Sequence, residues 1–379
     1  MDFELTKEQE LLADTLQRFV AQEYRFEARR GRMRSADGFG RDVWGKLAEM
    51  GILALQVPEA HGGLGAGPVE TLLAMNAVGR GLLLEPVLQS AILATSIVRT
   101  LGSPAQQEAL LPALAAGERI AVPAHGEENA RHDLEHVATR AARAGDGWVL
   151  TGEKAVVLQA PAADVLLVTA RTAGGVADRN GISLFRVERD APGLSLRAYP
   201  TLDGTRAADV MLREVRVGKD ALLGPEGGAF EALSAAWDLG AAAVCAEAVG
   251  GLQVLLDRTV EYAKTRKQFG VPIGKFQALQ HRMADMLIHV EQARSMSFLA
   301  AVRATDPDPA VRRRGVSAAK VVVGNACRTV GQEAIQIHGG IGMTDELDVS
   351  HYFRRLAAIE LQLGDTEHHL ERFVRTPGR

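Results

Sequence analysis

Cysteine is nearly absent from this 379-residue chain, which has only Cys245 and Cys327. Two cysteines cannot build a disulfide framework. Both lie in apolar stretches with helical patterning, so they read as buried thiols of a reducing compartment, not as a bridge or metal ligands. A surplus of positive charge is also missing. The net charge is -4, which removes the electrostatic argument for a nucleic-acid partner but leaves room for a local patch that binds a phosphorylated cofactor. The two dense basic runs, Arg25 to Arg34 and Arg312 to Arg314, read as solvated helix faces. No window of about 18 apolar residues is free of charge, so no membrane span is expected. The opening MDFELTKEQE is acidic and starts an ordinary helix, unlike a signal or transit peptide. Internal repeats and low-complexity tracts are absent as well. Together these absences predict a soluble, cytoplasmic protein with no metal site.

What is present is enough for two or three domains with a full core: 47% of the residues are hydrophobic. Residues 1–118 read as helices. Thr6-Lys7-Glu8-Gln9 is a capping box, and Leu11, Leu12, Leu16, Phe19 and Val20 mark one buried face. Trp44, Leu47 and Met50 mark a short helix that stops before Pro58. Pro68 opens another helix, and Ser103-Pro104-Ala105-Gln106 caps one more. Residues 119–222 change character. A Gly145-Asp146-Gly147 turn separates extended segments, and DVLLVTA, GISLFRV, LSLRAYP and DVMLREVRV are short, apolar and bounded by Gly, Pro or Asp. This pattern predicts a small antiparallel β domain. Residues 223–379 return to long helices from Phe230 onward, with Phe276, Leu279, Met283, Met286, Leu287 and Val290 at near-heptad spacing and a second face of Ala318, Val321, Val322 and Ala326. They predict an antiparallel bundle and, for the whole chain, the α+β class.

The most specific segments are RKQFGVPIGKFQALQ (Arg266 to Gln280) and QIHGGIGM (Gln336 to Met343). Each joins long helical patterns and sets a cation or amide beside glycines and an aromatic, a mixture suited to a flat, phosphate-bearing ligand at helix ends. A helix-terminating role explains Arg266 and Gly270. It does not explain Phe269, or Gln277 at the start of the next helix. The glycines Gly339 and Gly340 allow close backbone approach, to a ligand or in a tight turn.

Taken in this order, and with LTKEQELL, PEAHGGLGAGPVE, WVLTGEK and LGDTEHHLERF, these segments resemble the acyl-CoA dehydrogenase family along essentially the whole chain. Within it the chain is most similar to the small subunits of bacterial two-gene members such as pimeloyl-CoA dehydrogenase. The resemblance implies an N-terminal helical domain, a middle β domain and a C-terminal four-helix bundle. It also implies FAD as cofactor, an acyl-CoA substrate oxidised to the 2,3-enoyl-CoA, and an electron-transfer flavoprotein or similar acceptor. It assigns Arg266, Gln268, Phe269, Gln277, Gln336, Gly339, Gly340 and Thr366 to cofactor binding. In such enzymes a carboxylate removes the α proton and hydrogen bonds hold the thioester oxygen, while the flavin carries the redox chemistry.

The departures from the pattern are selective. Aligned on Thr366, the position of the family's glutamate base is Gly364. The alternative base position, counted back from Arg266, falls at Gly240. Substitute carboxylates are Asp365, one residue late and one methylene short; Glu247, two helical turns past Gly240; and Asp238, on a different face. Pro123 to Arg131 replaces a glycine-rich loop over the flavin, and Val156-Val157-Leu158-Gln159 replaces a Trp-Ile-Thr-Asn segment, losing a ring-stacking Trp and a hydroxyl. The resemblance implies that the ADP end of FAD reaches a neighbouring subunit at the retained segments. Three expectations follow. The chain is a half-site subunit of an α2β2 enzyme, pairing with a second acyl-CoA dehydrogenase subunit that provides the base; or an active homotetramer using Asp365 or Glu247; or a structural subunit without a flavin role.

Overall fold

The computed structural model describes residues 5–377. Helices come first: α1 (Lys7–Glu23), α2 (Phe26–Arg34), α3 (Arg41–Glu49), α4 (Pro68–Gly81), a π-helical stretch Val87–Ala94, α5 (Thr95–Leu101) and α6 (Pro104–Ala115). Strands β1 (Ala121–Ala124), β2 (Arg140–Ala144), β3 (Gly147–Leu158), β4 (Val165–Arg171), β5 (Ile182–Glu188), β6 (Leu194–Pro200), β7 (Arg206–Val217) and β8 (Leu222–Leu223) follow. The chain then forms α7 (Phe230–Thr265), a short hairpin β9 (Lys267–Gln268) and β10 (Val271–Pro272), α8 (Gln277–Ala304), α9 (Pro309–His338), α10 (Asp348–Leu361) and α11 (Thr366–Arg375). The order is that of an N-terminal helical domain, a middle β domain and a C-terminal helical domain. Both capping boxes form as the sequence predicts, at Thr6 and Ser103.

By contact density the chain divides into two compact units. One comprises Arg32–Gly67 and Leu84–Gly240. Its sheet runs β6-β7-β3-β2-β4-β5-β8, with β1 beside β4. The Gly145-Asp146 turn closes the β2–β3 hairpin, with Ala144 opposite Gly147 and Gly145 at φ 62°. The β domain is not purely antiparallel, because β1 lies parallel to β4. Every residue of β4 is buried, and its first four residues, Val165 to Val168, are apolar without alternation. Its core joins Val165, Leu167, Ile182 and Leu184 to Ile97, Leu111, Leu114 and Leu233. Arg171, at the end of β4, is buried without a carboxylate partner. Its guanidinium donates to the carbonyls of Glu135, Val137, Ala173, Val176, Asn180 and Asp178, tying two loops to the sheet.

The other unit comprises the chain up to Gly31, Pro68–Leu83 and Ala241–Arg379. Here α4 crosses α7 with their backbones in contact: a Cβ at Gly79 would lie 1.8 Å from the Glu247 carbonyl oxygen, and one at Gly250 would lie 2.0 Å from that of Asn76. Ala241, Ala242 and Ala243 are buried. Among the described residues α7 is the one helix long and apolar enough to cross a membrane, but 89% of its most apolar window is buried inside the protein. It is a core helix.

Several expected faces are corrected. The basic runs are not simply solvated. Arg29 is buried and donates to the Leu82 carbonyl (2.8 Å) and to His351 Nδ1 (2.9 Å). Arg312 is buried too, and Arg314 lies 3.8 Å over the Phe373 ring while donating to the Phe373 and Thr376 carbonyls at the end of α11. Long cationic side chains reach inward wherever helix-end carbonyls need donors. On α8, Met286 and Val290 are buried, whereas Phe276 and Leu287 are exposed. On α9 the buried face is Val316, Ala319, Val323, Ala326 and Val330, with Ala318, Val321 and Val322 at its margin, a rotation that residue spacing alone did not fix.

The α4–α7 crossing is testable. Gly79→Ala forces backbone apart and is expected to lower stability by about 2–4 kcal/mol in urea unfolding. Gly31→Ala meets nothing within 4 Å and is expected to be neutral or to stabilise by up to about 1 kcal/mol.

Candidate cofactor and base positions

Helix α7 ends at Thr265, not at Gly270 as the sequence suggested. Arg266 to Pro272 instead form the β9–β10 hairpin, with Gln268 opposite Val271 and Lys267 opposite Pro272. Its two turn residues, Phe269 (φ 52°) and Gly270 (φ 80°), are both left-handed, as a type I′ turn requires. Gly270 is there for that turn. Phe269 is an aromatic residue in a region that side chains avoid, its ring 92% exposed and edge-on to Phe276 at 6.0 Å. Such strain concentrates at functional sites. Arg266, Gln268, Gln277 and Gln336 are exposed, and their side chains make no hydrogen bond or ion pair with the described residues.

The helices that flank the two signature segments meet. His338, in the last turn of α9, stacks on Tyr262 near the end of α7 (4.4 Å, 25°), and the Tyr262 hydroxyl donates to the His338 carbonyl. Arg282 of α8 pairs with Glu333 of α9 at 3.0 Å. Thus the end of α7, the start of α8 and the end of α9 share one end of the bundle. Gly339 (φ 66°) and Gly340 are exposed, and a Cβ on either would meet nothing within 4 Å. The surface therefore combines open backbone, an exposed aromatic, a guanidinium and three amides. This set fits a phosphate-bearing, flat ligand. Thr366 is not part of the cluster. It sits at the start of α11, its hydroxyl against Gly324 of α9, 12 residues or about 18 Å along that helix from Gln336 at 1.5 Å per residue.

The base positions are differently occupied. Gly364 has φ 107°, and a Cβ there would lie 2.6 Å from His369 Nε2 and 2.7 Å from His368 Cδ2. Asp365 is the N-cap of α11, its Oδ1 accepting from the His368 amide at 2.7 Å. Glu247 is buried in a two-pronged ion pair with Arg355 of α10, at 2.6 and 2.8 Å. Asp238 is buried in α7. Thr366 donates through both its amide and its hydroxyl to Glu360, which also accepts from Arg328. Both cysteines are free and buried, and burial pushes the Cys245 thiol up to about 12 and raises Cys327 also.

In the β domain the loop Pro123 to Arg131 turns inward. Glu127 accepts from Lys154 Nζ (2.6 Å), from the Thr139 hydroxyl (2.7 Å) and from the Ala138 and Thr139 amides. Lys154 is fully buried, and burial pushes its ammonium down to about 8 although Glu127 opposes the shift. Burial works against the Glu127 carboxylate, but Lys154 and the amides outweigh it and hold its pKa low. His125 faces Thr169 at 3.0 Å and packs edge-on against Trp237; burial, helped by Lys154, lowers it to about 3. A bulge in β3 leaves Val156 at φ 51° and 58% exposed, its amide donating to Asp209, which Arg197 and Tyr199 hold. Gln159 is buried and donates to the Leu84 carbonyl. The hydroxyls of Thr139 and Thr169 are engaged internally. In this stretch the carboxylate, the ammonium and both threonine hydroxyls are engaged within the protein, the exposed position carries a valine, and the buried Nε2 of His125 is left without a hydrogen-bond partner among the described residues.

The Glu127–Lys154 pair was missed in the sequence. The available signal was a lysine and a glutamate flanking apolar strand residues, which proves ambiguous between the two faces of a strand. His125 gives a pH prediction. Between about 6.5, the unfolded value, and about 3, the unfolded chain binds a proton that the folded chain excludes. Stability therefore falls as pH drops through that window, by about 1.4 kcal/mol per pH unit for one group. Urea unfolding of His125→Asn between pH 6.5 and 4 is expected to show a slope shallower by about one proton than that of the parent protein.

Comparison with known proteins agrees with the fold. Residues 6–118, 124–216 and 228–376 match, in turn, the N-terminal, middle and C-terminal domains of acyl-CoA dehydrogenase. The chain is 32% identical over 372 residues to the probable acyl-CoA dehydrogenase YngJ of Bacillus subtilis (strain 168), covering 97% of each. Among solved structures it is similar to the ChsE4-ChsE5 complex of Mycobacterium tuberculosis (29% identity, TM-score 0.88, 100% of each chain). It is also similar to a variant of the Tcur3481-Tcur3483 steroid ACAD (29% identity, TM-score 0.87, 97% of each chain). The chain belongs to the acyl-CoA dehydrogenase family, whose members are FAD-dependent oxidoreductases.

Proposed function

We propose that this chain is the half-site subunit of a two-component acyl-CoA dehydrogenase that converts an acyl-CoA thioester to its 2,3-enoyl-CoA. The observation that carries the reading is Gly364. Its backbone is left-handed and the two histidines fill the space beside it, so the base position is closed as well as empty. A left-handed backbone with no room for Cβ excludes a longer side chain without rebuilding the turn. Asp365 is committed as a helix cap, and both carboxylate oxygens of Glu247 are engaged by the Arg355 guanidinium.

In this reading the hairpin and the end of α9 serve the ADP half of FAD. Arg266 brings charge to a phosphate, Gln268, Gln277 and Gln336 bring amides, and Phe269 offers a flat apolar face. Gly339 and Gly340 leave the backbone approachable, and Thr366 adds a contact from the start of α11. The second acyl-CoA dehydrogenase subunit holds the flavin ring and provides the base. Bound FAD supplies the hydride acceptor, and an electron-transfer flavoprotein or similar acceptor takes the electrons onward. Two of the similar solved structures carry paired component names, which supports a two-component assembly. The likeness to small subunits such as that of pimeloyl-CoA dehydrogenase supports a dicarboxylyl or long-chain acyl group.

The test is flavin content. Purified alone, the chain is expected to carry well under one FAD per protomer and to be inactive. Co-expression with an adjacent acyl-CoA dehydrogenase subunit is expected to restore flavin absorbance and acyl-CoA oxidation. Full flavin and turnover by the isolated chain would instead establish the active homotetramer, and no flavin in either preparation would leave a structural subunit. Gly364→Glu, checked for folding by circular dichroism, is expected to give the isolated chain no dehydrogenation. A gain of about tenfold or more over the parent would contradict the closed-site argument.

A further inference from the structure

Helix α9 carries a stripe of residues at helical spacing, Ser317, Lys320, Gly324 and Arg328, and each meets α10, α11 or the turn between them. Ser317 faces His369 Nδ1 at 3.2 Å, while His369 Nε2 reaches the Leu363 carbonyl at 3.0 Å. Lys320, buried in the middle of the helix, donates to the carbonyls of Ile359 (2.9 Å), Glu360 (3.0 Å) and Gly364 (2.9 Å). An ammonium has three N–H donors, and here each has a backbone acceptor. Gly324 leaves room for the Thr366 hydroxyl, which would stand 2.5 Å from a Cβ at that position. Arg328 reaches Glu360, the same carboxylate that receives the Thr366 amide and hydroxyl.

The turn held in this way is strained. Leu363 is left-handed at φ 59° and Gly364 follows at φ 107°. A strained turn persists only when its surroundings over-determine it. Burying a lysine is costly unless every donor is satisfied, and this lysine has no carboxylate salt bridge among the described residues; its partners are two carbonyls before the strained residues and that of Gly364 itself. Stabilising the C-terminus of α10 would need only the first two carbonyls. The third, on Gly364, fixes where the chain enters α11.

We propose that Lys320 is a positioning residue: by clamping the carbonyls of residues 359, 360 and 364 it places Thr366 for the cofactor contact. This rests on the half-site reading, in which Thr366 meets FAD. The co-expressed two-subunit complex provides the test, with FAD affinity read from flavin fluorescence and turn order read from amide hydrogen exchange. Lys320→Met is expected to weaken FAD binding about tenfold, a change of about 1.4 kcal/mol, and to speed exchange at residues 361–369 ahead of the rest of α9. Gly324→Ala, which displaces Thr366 without touching the charge, is expected to weaken FAD binding in the same direction. Leu356→Ala, in the buried face of α10, serves as the control. It lowers thermal stability and is expected to leave FAD affinity unchanged. If Lys320→Met loses stability like Leu356→Ala but keeps parental FAD affinity, Lys320 is structural only and the proposal fails. Arg266→Gln separates the two readings. If it lowers FAD affinity while Lys320→Met does not, only the positioning role is lost. If Arg266→Gln also has no effect, the half-site reading falls.

Discussion

The contact of α4 with α7 through Gly79 and Gly250 governs the helical unit. Because a glycine backbone rests on the Glu247 carbonyl, the rotation of α7 about its axis is fixed at that point. The Glu247 side chain then has one direction available, and it meets Arg355 of α10. Arg355 also reaches Gln362, in the turn that follows α10. The position of Gly364 is therefore set by a chain of contacts that starts at a helix crossing. Removing one partner of a buried ion pair of this kind typically costs about 3–5 kcal/mol, so a carboxylate in this place serves the architecture.

The same unit shows how the protein accommodates buried cations. Arg29 and Lys320, like Arg171 in the sheet-containing unit, are buried and donate to backbone carbonyls. Carbonyls at helix ends and loop bends lack internal partners, and a long basic side chain satisfies several at once. This arrangement needs no acidic residue nearby in sequence. It is why the basic runs looked like ordinary solvated faces when read as strings of charge.

The sequence was informative where structure is local. The caps at Thr6 and Ser103, the Gly145-Asp146 turn, the strands bounded by Gly, Pro or Asp and the long C-terminal helices all depend on residues within a few positions of one another, and all formed where the pattern put them. It was less informative where position depends on partners far away in the chain. The parallel β1–β4 pair and the rotation of α9 each required tertiary contacts. At the candidate site the same division holds. Composition singled out the two segments, and the fold joined them through Tyr262 and His338. The closing of Gly364 by His368 and His369, four and five residues later, lay in the sequence but not in any pattern. Only the left-handed backbone turns those rings against it.

An enzyme that had merely lost its base would be expected to keep the surroundings of that base open, since nothing else need change. Here the change is distributed. The residue is glycine, the backbone is one that glycine favours, the adjacent volume is filled, and the β-domain loop carries an internal Glu127–Lys154 pair. The hairpin and the end of α9 show the opposite tendency: exposed side chains without internal partners and a strained, solvated aromatic. Polar groups paired internally in one region and left exposed in another point to different demands on the two. The first is engaged by its own residues, and the second presents side chains that bond to none of the described residues. This asymmetry, more than the loss of a single carboxylate, is the physical argument for a subunit that completes a neighbour's site.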